Sequence, residues 1–387
     1  MARTYAVLGS GMQGTAAAYD LGQHGGASGI VLVDRDAVAV EHACERIRRL
    51  LPGVSVDARV VDASDEAALR RALDGVAGVF SGLPYAFNPA AAAAAVAVGA
   101  HFCDLGGNTE VVRKTLALDG AAKARGVSVI PDCGLAPGLG NVLAAALLQR
   151  LPGAHTVHVR CGGLPRNPRP PLNYMLVFNI GGLTNEYMGE AEFLRNGARV
   201  SLPTLTECEA LEFAEPVGRA EAFITSGGTS TAPETFEGRL QNYDYKTVRY
   251  PGHCAQLQAL KALGLLDLEP VQVGQVSVRP RDLFHAVAAP RLLPRPGDTD
   301  LVVLRAEALS EQGGLRLDLL DFADGGTGFS AMERTTAFPA AATLAFQVEG
   351  RVPAGATTSE RLACVGDLVE AVRKRGLDLR ETTLTAR

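Results

Sequence analysis

Residues 4–14 read TYAVLGSGMQG, a short apolar run that leads into the pattern G-x-G-x-x-G. The apolar run is typical of a strand buried in a parallel sheet. Gly9 permits a tight turn out of the strand, Gly11 leaves room for a pyrophosphate, and Gly14 lets the next helix pack closely. A helical stretch, 15–23, and a second apolar run, 30–33, follow. This order of strand, turn, helix and strand predicts a dinucleotide-binding unit.

Asp34 ends the second apolar run, 20 residues after Gly14. A carboxylate at that place can accept the ribose hydroxyls of NAD and repel the 2′-phosphate of NADP. Arg35 follows directly and can neutralise a 2′-phosphate, so NADP stays an alternative. The sequence predicts NAD as the cofactor.

Length and composition limit the class of protein. A chain of 387 residues predicts two domains, and a net charge of −5 offers no basic surface for nucleic acid. We find no signal peptide and no apolar stretch of about 18 residues for a membrane span. The seven cysteines include no C-x-x-C pair. We therefore predict a cytoplasmic protein without a metal site, membrane contact or nucleic-acid partner.

The first third of the chain repeats the alternation of strand and helix. Six predicted strands, the last at 127–130, indicate an α/β fold with a Rossmann doubly wound parallel sheet over residues 1–135. Ligands of such sheets bind at the carboxyl ends of the strands. The predicted cofactor-binding residues are therefore Gly9, Ser10, Gly11, Met12, Gln13, Gly14, Asp34, Gly82, Leu83, Pro84, Asp104, Leu105, Gly106 and Asp132.

From Gly138 onward the pattern changes, and residues 136–336 predict a second, α+β domain on an open mixed or antiparallel sheet. Its predicted strands are 156–161, 199–202, 271–278, 300–306, 315–322 and 328–335, the last two joined as a hairpin by Asp324-Gly325-Gly326. Helical segments at 338–349 and 362–375 are predicted to return to the first domain, so that residues 337–387 belong with it.

Several polar, Gly- and Pro-rich stretches offer groups for an amino-acid substrate. They supply an Arg for a carboxylate, carboxylates for an ammonium, and His or Lys for proton transfer. The alternative is that they are structural loops with solvated charges. The stretches are 161–174, 181–187, 221–230 and 245–253, together with Asp132-Cys133-Gly134-Leu135-Ala136-Pro137-Gly138 at the domain junction.

Six motifs follow one another along the chain: GSGMQG at 9–14, DLGG at 104–107, DCGLAPG at 132–138, PPLNY at 170–174, TSGGTS at 225–230 and YKTVRYPGH at 245–253. In this order they resemble the saccharopine dehydrogenase-like family, and within it the lysine 6-dehydrogenases. The resemblance runs over nearly the whole chain. It implies an NAD-dependent enzyme that oxidises the ε-carbon of L-lysine. The products would be 2-aminoadipate 6-semialdehyde, which cyclises to piperideine-6-carboxylate, together with ammonia and NADH. It also implies a small-molecule amino-acid substrate and a homodimer or higher homo-oligomer assembled through the second domain.

Each candidate residue has a role in that chemistry and a structural alternative. Arg249 would bind the α-carboxylate by a two-pronged contact, or form an ordinary salt bridge. His253, ranked first, or Lys246 would be the catalytic base or activate water. The predicted substrate-binding residues also include the polar orienters Asn173, Tyr174 and Thr229 and the ammonium partners Glu186 and Glu221.

Other functions remain open from the sequence. One is a saccharopine dehydrogenase or reductase, or a carboxynorspermidine-type dehydrogenase, which would share the fold and the hydride step. Another, of a different class, is a non-catalytic protein that senses NAD.

Overall fold

The computed structural model describes residues 3–386. Within them the chain forms a seven-stranded sheet, a nine-stranded sheet and a small two-stranded sheet. The large hydrophobic core contains residues from both large sheets and from the helices between them.

Strands and helices alternate in the first part of the chain. They are β1 Thr4–Leu8, α1 Met12–Gln23, β2 Gly29–Asp34, α2 Ala37–Leu50, β3 Ser55–Val60, α3 Glu66–Ala72, β4 Gly78–Ser81, α4 Asn88–Val98, β5 His101–Asp104, α5 Thr109–Leu116, α6 Asp119–Arg125 and β6 Ser128–Ile130. Side-chain caps set several helix starts: Asp36, Asp65 and Asn108 accept backbone N–H groups of α2, α3 and α5.

The rest of the chain has less regular order. Its elements are α7 Leu139–Arg150, β7 Thr156–Pro165, α8 Ile180–Glu186, β8 Glu190–Arg195, β9 Ala198–Pro203, β10 Glu209–Glu212, β11 Arg219–Phe223, α9 Ala232–Phe236, β12 Asn242–Arg249, α10 His253–Ala262, β13 Val271–Val273, β14 Val276–Val278, α11 Pro280–Leu292, β15 Asp300–Ser310, β16 Gly313–Phe322, α12 Ala331–Val348, β17 Gly355–Ala356, α13 Val365–Lys374 and β18 Leu379–Thr385.

The seven-stranded sheet is the predicted Rossmann sheet. Its order is β17-β6-β5-β4-β1-β2-β3, and every neighbouring pair is parallel. The order reverses between β1 and β4, which is where such sheets bind ligands. The sequence predicted six of these strands. The seventh, β17, comes from the C-terminal segment and pairs with β6.

The nine-stranded sheet is mixed, as predicted for the second domain. Its main path is β10-β11-β12-β7-β15-β16-β18; β8 pairs with β12, and β9 pairs with β8. The pair β12–β7 is parallel, whereas β7–β15 and β15–β16 are antiparallel. Because side chains alternate along a strand, β12 presents Tyr245, Thr247 and Arg249 on one face and Lys246 on the other.

The helix α12 contacts both large sheets. It packs on α1, β4 and β5 on one side and reaches β15 and β16 on the other. Its side chains are mostly buried along its length, as expected for a helix inside a core. Gln347 donates from Nε2 to the carbonyl oxygens of Phe102 and Ser128, at 3.0 and 2.9 Å.

Three sequence predictions in the second half differ from the structure. The predicted strand 328–335 is the start of α12, because Ser330 and Glu333 form a reciprocal capping box that begins a helix. The predicted strand 271–278 is the hairpin β13–β14, turned at Gly274 with φ 62°. The C-terminal segment divides between the domains: β17 joins the Rossmann sheet, but β18 pairs with β16.

Candidate active site

The glycine turn after β1 leaves open space beside the start of α1. Gly9 has φ 87°, a left-handed conformation that favours glycine. A Cβ at Gly14 would lie 1.8 Å from the carbonyl oxygen of Gly9, whereas a Cβ at Gly11 would meet no heavy atom within 4 Å. The first turn of α1 has no side-chain cap. Its free N–H groups therefore suit a diphosphate in the space over Gly11.

A cleft of ≈ 220 Å³ adjoins this turn at the carboxyl ends of β1, β2 and β4. Asp34 Oδ2 accepts the Ser10 N–H at 2.7 Å, and Oδ1 accepts the Asp36 N–H at 3.0 Å. The backbone thereby fixes the carboxylate, and its remaining lone pairs can accept ribose hydroxyls. The cleft brings together six of the fourteen predicted cofactor residues, Gly9, Gly11, Asp34, Gly82, Leu83 and Pro84. The other lining residues are Leu8, Val33, Arg35, Val61, Asp62, Ala63, Leu69 and Phe87.

Asp104 and Asp132 are buried at the ends of β5 and β6 and fix the junction between the domains. Asp104 Oδ1 accepts the N–H groups of Gly106 and Asp132 at 2.8 and 3.0 Å. Burial raises the pKa of Asp104 to about 6. Burial and the neighbouring Asp104 raise the pKa of Asp132 to about 8. Ser230, from the second domain, donates to Asp132 Oδ2. Asp132 thus links the two domains through Ser230, and Asp104 fixes the backbone around Asp132; neither carboxyl lines the cleft at the glycine turn or the pocket between the domains.

A second pocket of ≈ 220 Å³ lies between the Rossmann strand ends and the mixed sheet. Both domains contribute to its wall. One end is apolar and belongs to the Rossmann side and α12, and the other carries the charged groups of β12 and α8. The lining residues are Gln13, Leu105, Leu135, Ala136, Pro137, Cys161, Gly162, Gly163, Phe178, Glu186, Tyr245, Thr247, Arg249, Met332 and Thr336.

The charged end of this pocket is an Arg–Glu pair. Arg249, at the end of β12, lies with Nη2 3.4 Å from Glu186 Oε2. Glu186 is the last residue of α8, where its carbonyl oxygen accepts the Ser226 N–H at 2.9 Å. Burial raises the pKa of Glu186 to about 7, against the opposing effect of Arg249. At 3.4 Å the two side chains do not form a close ion pair, so each of them can bind a ligand group of opposite charge.

A chain of hydrogen bonds behind the pocket orients Arg249. Its Nε lies 3.4 Å from the hydroxyl oxygen of Tyr187, and that hydroxyl lies 2.9 Å from His253 Nε2. His253 Nδ1 lies 2.9 Å from the carbonyl oxygen of Leu172, which can only accept. His253 therefore carries its proton on Nδ1, and Nε2 accepts from Tyr187. Burial and the positive charge of Arg249 lower the pKa of His253 to about 3.

The two predicted bases do not reach the pocket. His253 is 1% exposed and stands behind Arg249 as a neutral acceptor. Lys246 points to the opposite face of the sheet, because it alternates with Tyr245 and Thr247. Its Nζ donates to the Glu207 carbonyl oxygen at 2.7 Å and lies 3.6 Å from Glu209 Oε1. Neither His253 nor Lys246 is therefore placed to exchange a proton with a ligand in this pocket.

The remaining predicted substrate residues surround the site without lining it. Glu221 accepts the N–H groups of Gly252 and Cys254 at 2.9 and 2.6 Å and so caps α10. The ring of Tyr174 lies 4.9 Å from the Arg249 Cζ and helps to confine the guanidinium. Asn173 has φ 50°, a left-handed conformation that turns the chain just before Tyr174. Thr229 is buried, and its carbonyl oxygen accepts from Asn141 Nδ2 at 3.3 Å.

Sequence reasoning missed Tyr245, Thr247 and Tyr187 as residues of the site. Reading 242–249 as a strand would have found the first two, since they share a face with Arg249. Tyr187 had no such signal, because its role depends on how the loop after α8 packs against α10. The pocket residues Cys161, Met332 and Thr336 likewise come from elements far apart in sequence.

The described residues contain no helix long and apolar enough to cross a membrane. Among the same residues, no group of three or more His, Cys, Asp and Glu side chains is arranged to hold a metal ion.

Two family models match the chain. Residues 134–377 match the saccharopine dehydrogenase C-terminal domain, and residues 5–130 match the saccharopine dehydrogenase NADP binding domain. Together these ranges cover both the turn at Gly9–Gly14 and the pocket at Arg249.

Curated relatives point to the same family at low identity. Saccharopine dehydrogenase (NADP(+), L-glutamate-forming) of Pyricularia oryzae is 27% identical over 256 residues, 62% of this chain and 55% of that protein. The protein of the same description from Schizosaccharomyces pombe is 25% identical over 221 residues, 54% of this chain and 47% of that protein. The chain thus spans about half the length of the curated relatives that it matches.

Solved structures share the fold. Apo saccharopine dehydrogenase (L-Glu forming) from Saccharomyces cerevisiae has a TM-score of 0.79 at 17% identity, covering 99% of this chain and 100% of that one. Homospermidine synthase from Legionella pneumophila, in complex with NAD, has a TM-score of 0.69 at 12% identity, covering 99% and 92%. At these identities the likeness is one of fold alone.

Proposed function

Because this chain belongs to the saccharopine dehydrogenase family, we propose that it is an amino-acid dehydrogenase, which oxidises L-lysine at the ε-carbon with NAD. Hydride transfer leaves an imine, which water hydrolyses, so that the products are the semialdehyde, ammonia, NADH and a proton. The observation that carries the proposal is the Arg249–Glu186 pair at one end of a pocket whose other end meets the Rossmann strand ends.

The Rossmann domain is a nicotinamide-dinucleotide-binding domain of this family. Its residues fit the cofactor, since the space over Gly11 and the uncapped start of α1 suit the diphosphate. We propose NAD because the fixed Asp34 carboxylate faces the place of the 2′-hydroxyl and would repel a 2′-phosphate. When bound, the nicotinamide accepts a hydride from the substrate carbon.

The charged end of the pocket fits the head of a free α-amino acid. Such a head carries a carboxylate and an ammonium on one carbon, and Arg249 and Glu186 offer the two opposite charges 3.4 Å apart. Arg249 would bind the carboxylate, and Glu186 the α-ammonium. Among the described residues that line the pocket, Arg249 is the one Lys or Arg side chain. One cation suits lysine better than saccharopine, which carries several carboxylates.

Holding the head in this way directs the side chain of lysine toward the apolar end of the pocket, beside Leu105, Leu135 and Met332. An ammonium must lose a proton before its carbon can give up hydride. Since apolar surroundings lower the pKa of an ammonium, this wall would favour the neutral amine. Apart from Glu186, the described lining offers no side chain with a pKa near neutrality, because burial raises the pKa of Cys161 to about 12 and that of Tyr245 well above its ordinary value.

The test is NADH formation with lysine, ornithine and saccharopine, each with NAD and with NADP. We expect turnover with lysine and NAD. Lysine deuterated at the ε-carbon should react more slowly, while lysine deuterated at the α-carbon, the matched control, should not. Turnover with saccharopine alone would favour the saccharopine dehydrogenase alternative. Cofactor binding without turnover of any amino acid would favour the non-catalytic alternative.

We also infer that two copies associate through the region 263–293. Nine large apolar side chains there are exposed, among them Leu263, Leu283 and Val287. Four of them, Leu263, Leu265, Leu283 and Val287, line an apolar groove of ≈ 590 Å³ between α10 and α11, and three others lie on the hairpin β13–β14. A two-stranded hairpin is marginally stable alone. Because one chain carries both an apolar ridge and an apolar groove, a two-fold contact can cover both.

Light scattering after size exclusion tests this association. The wild type should elute as a dimer or higher oligomer, and the double variant Val273→Lys, Leu283→Lys as a monomer. Val60→Lys, an exposed valine elsewhere on the chain, is the matched control and should leave the mass unchanged. A monomeric wild type at micromolar concentration would contradict the inference.

A further inference from the structure

Gln13 is placed where the glycine turn meets the substrate pocket. It lies in the first turn of α1, and its side chain lines the pocket together with Leu105, Met332 and Thr336. Its Nε2 lies 3.3 Å from the carbonyl oxygen of Met332. A carbonyl oxygen only accepts, so this contact fixes which end of the amide is which. The free end is the acceptor, Oε1.

That acceptor is buried and has no partner. Seven buried side-chain N or O atoms in the described residues lack a hydrogen-bond partner. Gln13 Oε1 is the one among them whose residue lines the pocket. A buried acceptor without a partner is costly, and a ligand in the pocket is the group positioned to satisfy it.

The surroundings define the ligand group. Besides Gln13, the lining residues of the Rossmann side and of α12 are apolar except for Thr336, whose hydroxyl oxygen lies 3.4 Å from Met332 Sδ. A neutral carbonyl acceptor there calls for a hydrogen-bond donor, and the reacting groups that the proposed function brings to this place, an amine and a carboxamide, donate through N–H. We propose that Gln13 Oε1 accepts a hydrogen bond from an N–H group of the bound ligands, at the end of the pocket where hydride transfer would occur. The proposal rests on the proposed function.

Two ligands present such a group at that end: the carboxamide of the nicotinamide and the reacting amine of the substrate. Gln13 thus makes a positioning contact with one of them. The contact would hold the donor against the pocket wall while Met332 holds the Gln13 amide in one orientation.

The experiment compares Gln13→Met, which keeps the length but removes the acceptor, with Gln13→Glu, which keeps an acceptor but loses the donor to Met332. Binding of NADH and of ADP-ribose is measured without substrate, and KM and kcat are measured with lysine. ADP-ribose lacks the nicotinamide and so reports on the glycine turn alone.

If the partner is the carboxamide, Gln13→Met should weaken NADH binding about 5- to 10-fold and leave ADP-ribose binding unchanged. If the partner is the amine, NADH binding should hold and KM for lysine should rise by a similar factor. In both cases the affected constant, the affinity for NADH or the KM for lysine, should change less in Gln13→Glu than in Gln13→Met.

Three results would overturn the proposal: all constants within twofold of wild type, equal losses in the two variants, or equal weakening of NADH and ADP-ribose. The last would assign the effect to the glycine turn. Failure of the proposed function looks different, because the wild type would then bind no NADH or would turn over no amino acid.

Discussion

At the scale of single residues, Glu186 has the pKa that matters most for substrate binding. In the free protein that pKa is raised to about 7, so the carboxyl is largely neutral below pH 7 and cannot pair with an ammonium. We expect kcat/KM for lysine to rise with pH through about 7. Glu186→Gln should abolish this limb of the profile and raise KM about 10- to 100-fold, with a much smaller change in kcat.

Glu221→Gln is the control for that variant. Glu221 was an equal candidate in the sequence, but it caps α10 and does not line the pocket. Its variant should keep the limb near pH 7. If the limb survives in Glu186→Gln and is lost in Glu221→Gln, the assignment of the ammonium partner is wrong.

His253 predicts a pH dependence of stability rather than of catalysis. Its pKa is about 3 in the folded protein and near 6.5 when unfolded, so below pH 6.5 the unfolded chain binds the extra proton. Stability is therefore lost as the pH falls toward 3. Between pH 7.5 and pH 5 this residue should cost about 2 kcal/mol of unfolding free energy.

Urea unfolding at the two pH values measures this cost in the wild type and in His253→Gln. The variant should lose about 2 kcal/mol less than the wild type over this interval, whatever its stability at pH 7.5. Equal losses in the two proteins would mean that His253 is protonated in the folded state.

At the scale of elements, the turn between β1 and α1 separates folding from cofactor binding. A methyl group at Gly14 would meet the Gly9 carbonyl oxygen at 1.8 Å, whereas one at Gly11 would enter open space. Gly11 also has φ −73°, which any residue can adopt. Gly14→Ala should therefore lower the unfolding free energy by about 2–3 kcal/mol, while Gly11→Ala should leave it within 0.5 kcal/mol.

The two variants should affect cofactor affinity in the opposite order, with the larger loss in Gly11→Ala. Gly11→Ala should weaken NADH binding at least tenfold, because its methyl group fills the space for the diphosphate. Unfolding curves and NADH titrations of both variants check the pair. If Gly11→Ala binds NADH with unchanged affinity, the diphosphate does not bind in this space.

The elements also show what sequence alone could reach. The turn at Gly9–Gly14 predicted the parallel sheet, because each glycine has a local steric reason that is visible in the sequence. The chemistry of its side chain identified Arg249 as a residue of the site, but the same reasoning also identified Lys246, which lies outside it. Side-chain direction on β12 separates the two, and that direction was available only once 242–249 was recognised as a strand. The strands β10 and β11 went unseen because their segments are rich in Glu and Ala, which are poor strand formers.

Other features depended on contacts between distant parts of the chain. The segment 328–335 looked like the second strand of a hairpin after Asp324-Gly325-Gly326. Its capping box at Ser330 and Glu333 was visible in the sequence, but the apolar pattern around it was ambiguous. The neutrality of His253 could not be predicted at all, since it follows from burial beside Arg249.

At the scale of the whole molecule, the two domains share a core and should not fold independently. Helix α12 covers β4 and β5, and Gln347 donates to carbonyl oxygens at two neighbouring strands, β5 and β6. A fragment of residues 1–135 lacks α12 and β17. It would expose the apolar face under α12 and leave these carbonyl groups without their partner.

We therefore expect the fragment 1–135 to unfold without a cooperative transition and to bind NADH at least a hundredfold more weakly than the full chain. Circular dichroism against urea and an NADH titration measure both quantities. The matched test is the same fragment joined by a flexible linker to residues 330–375, which restores α12, β17 and α13 and should recover cooperative unfolding. Cooperative unfolding and full NADH affinity in residues 1–135 alone would contradict the shared core, since the Rossmann sheet would then be stable without its C-terminal cover.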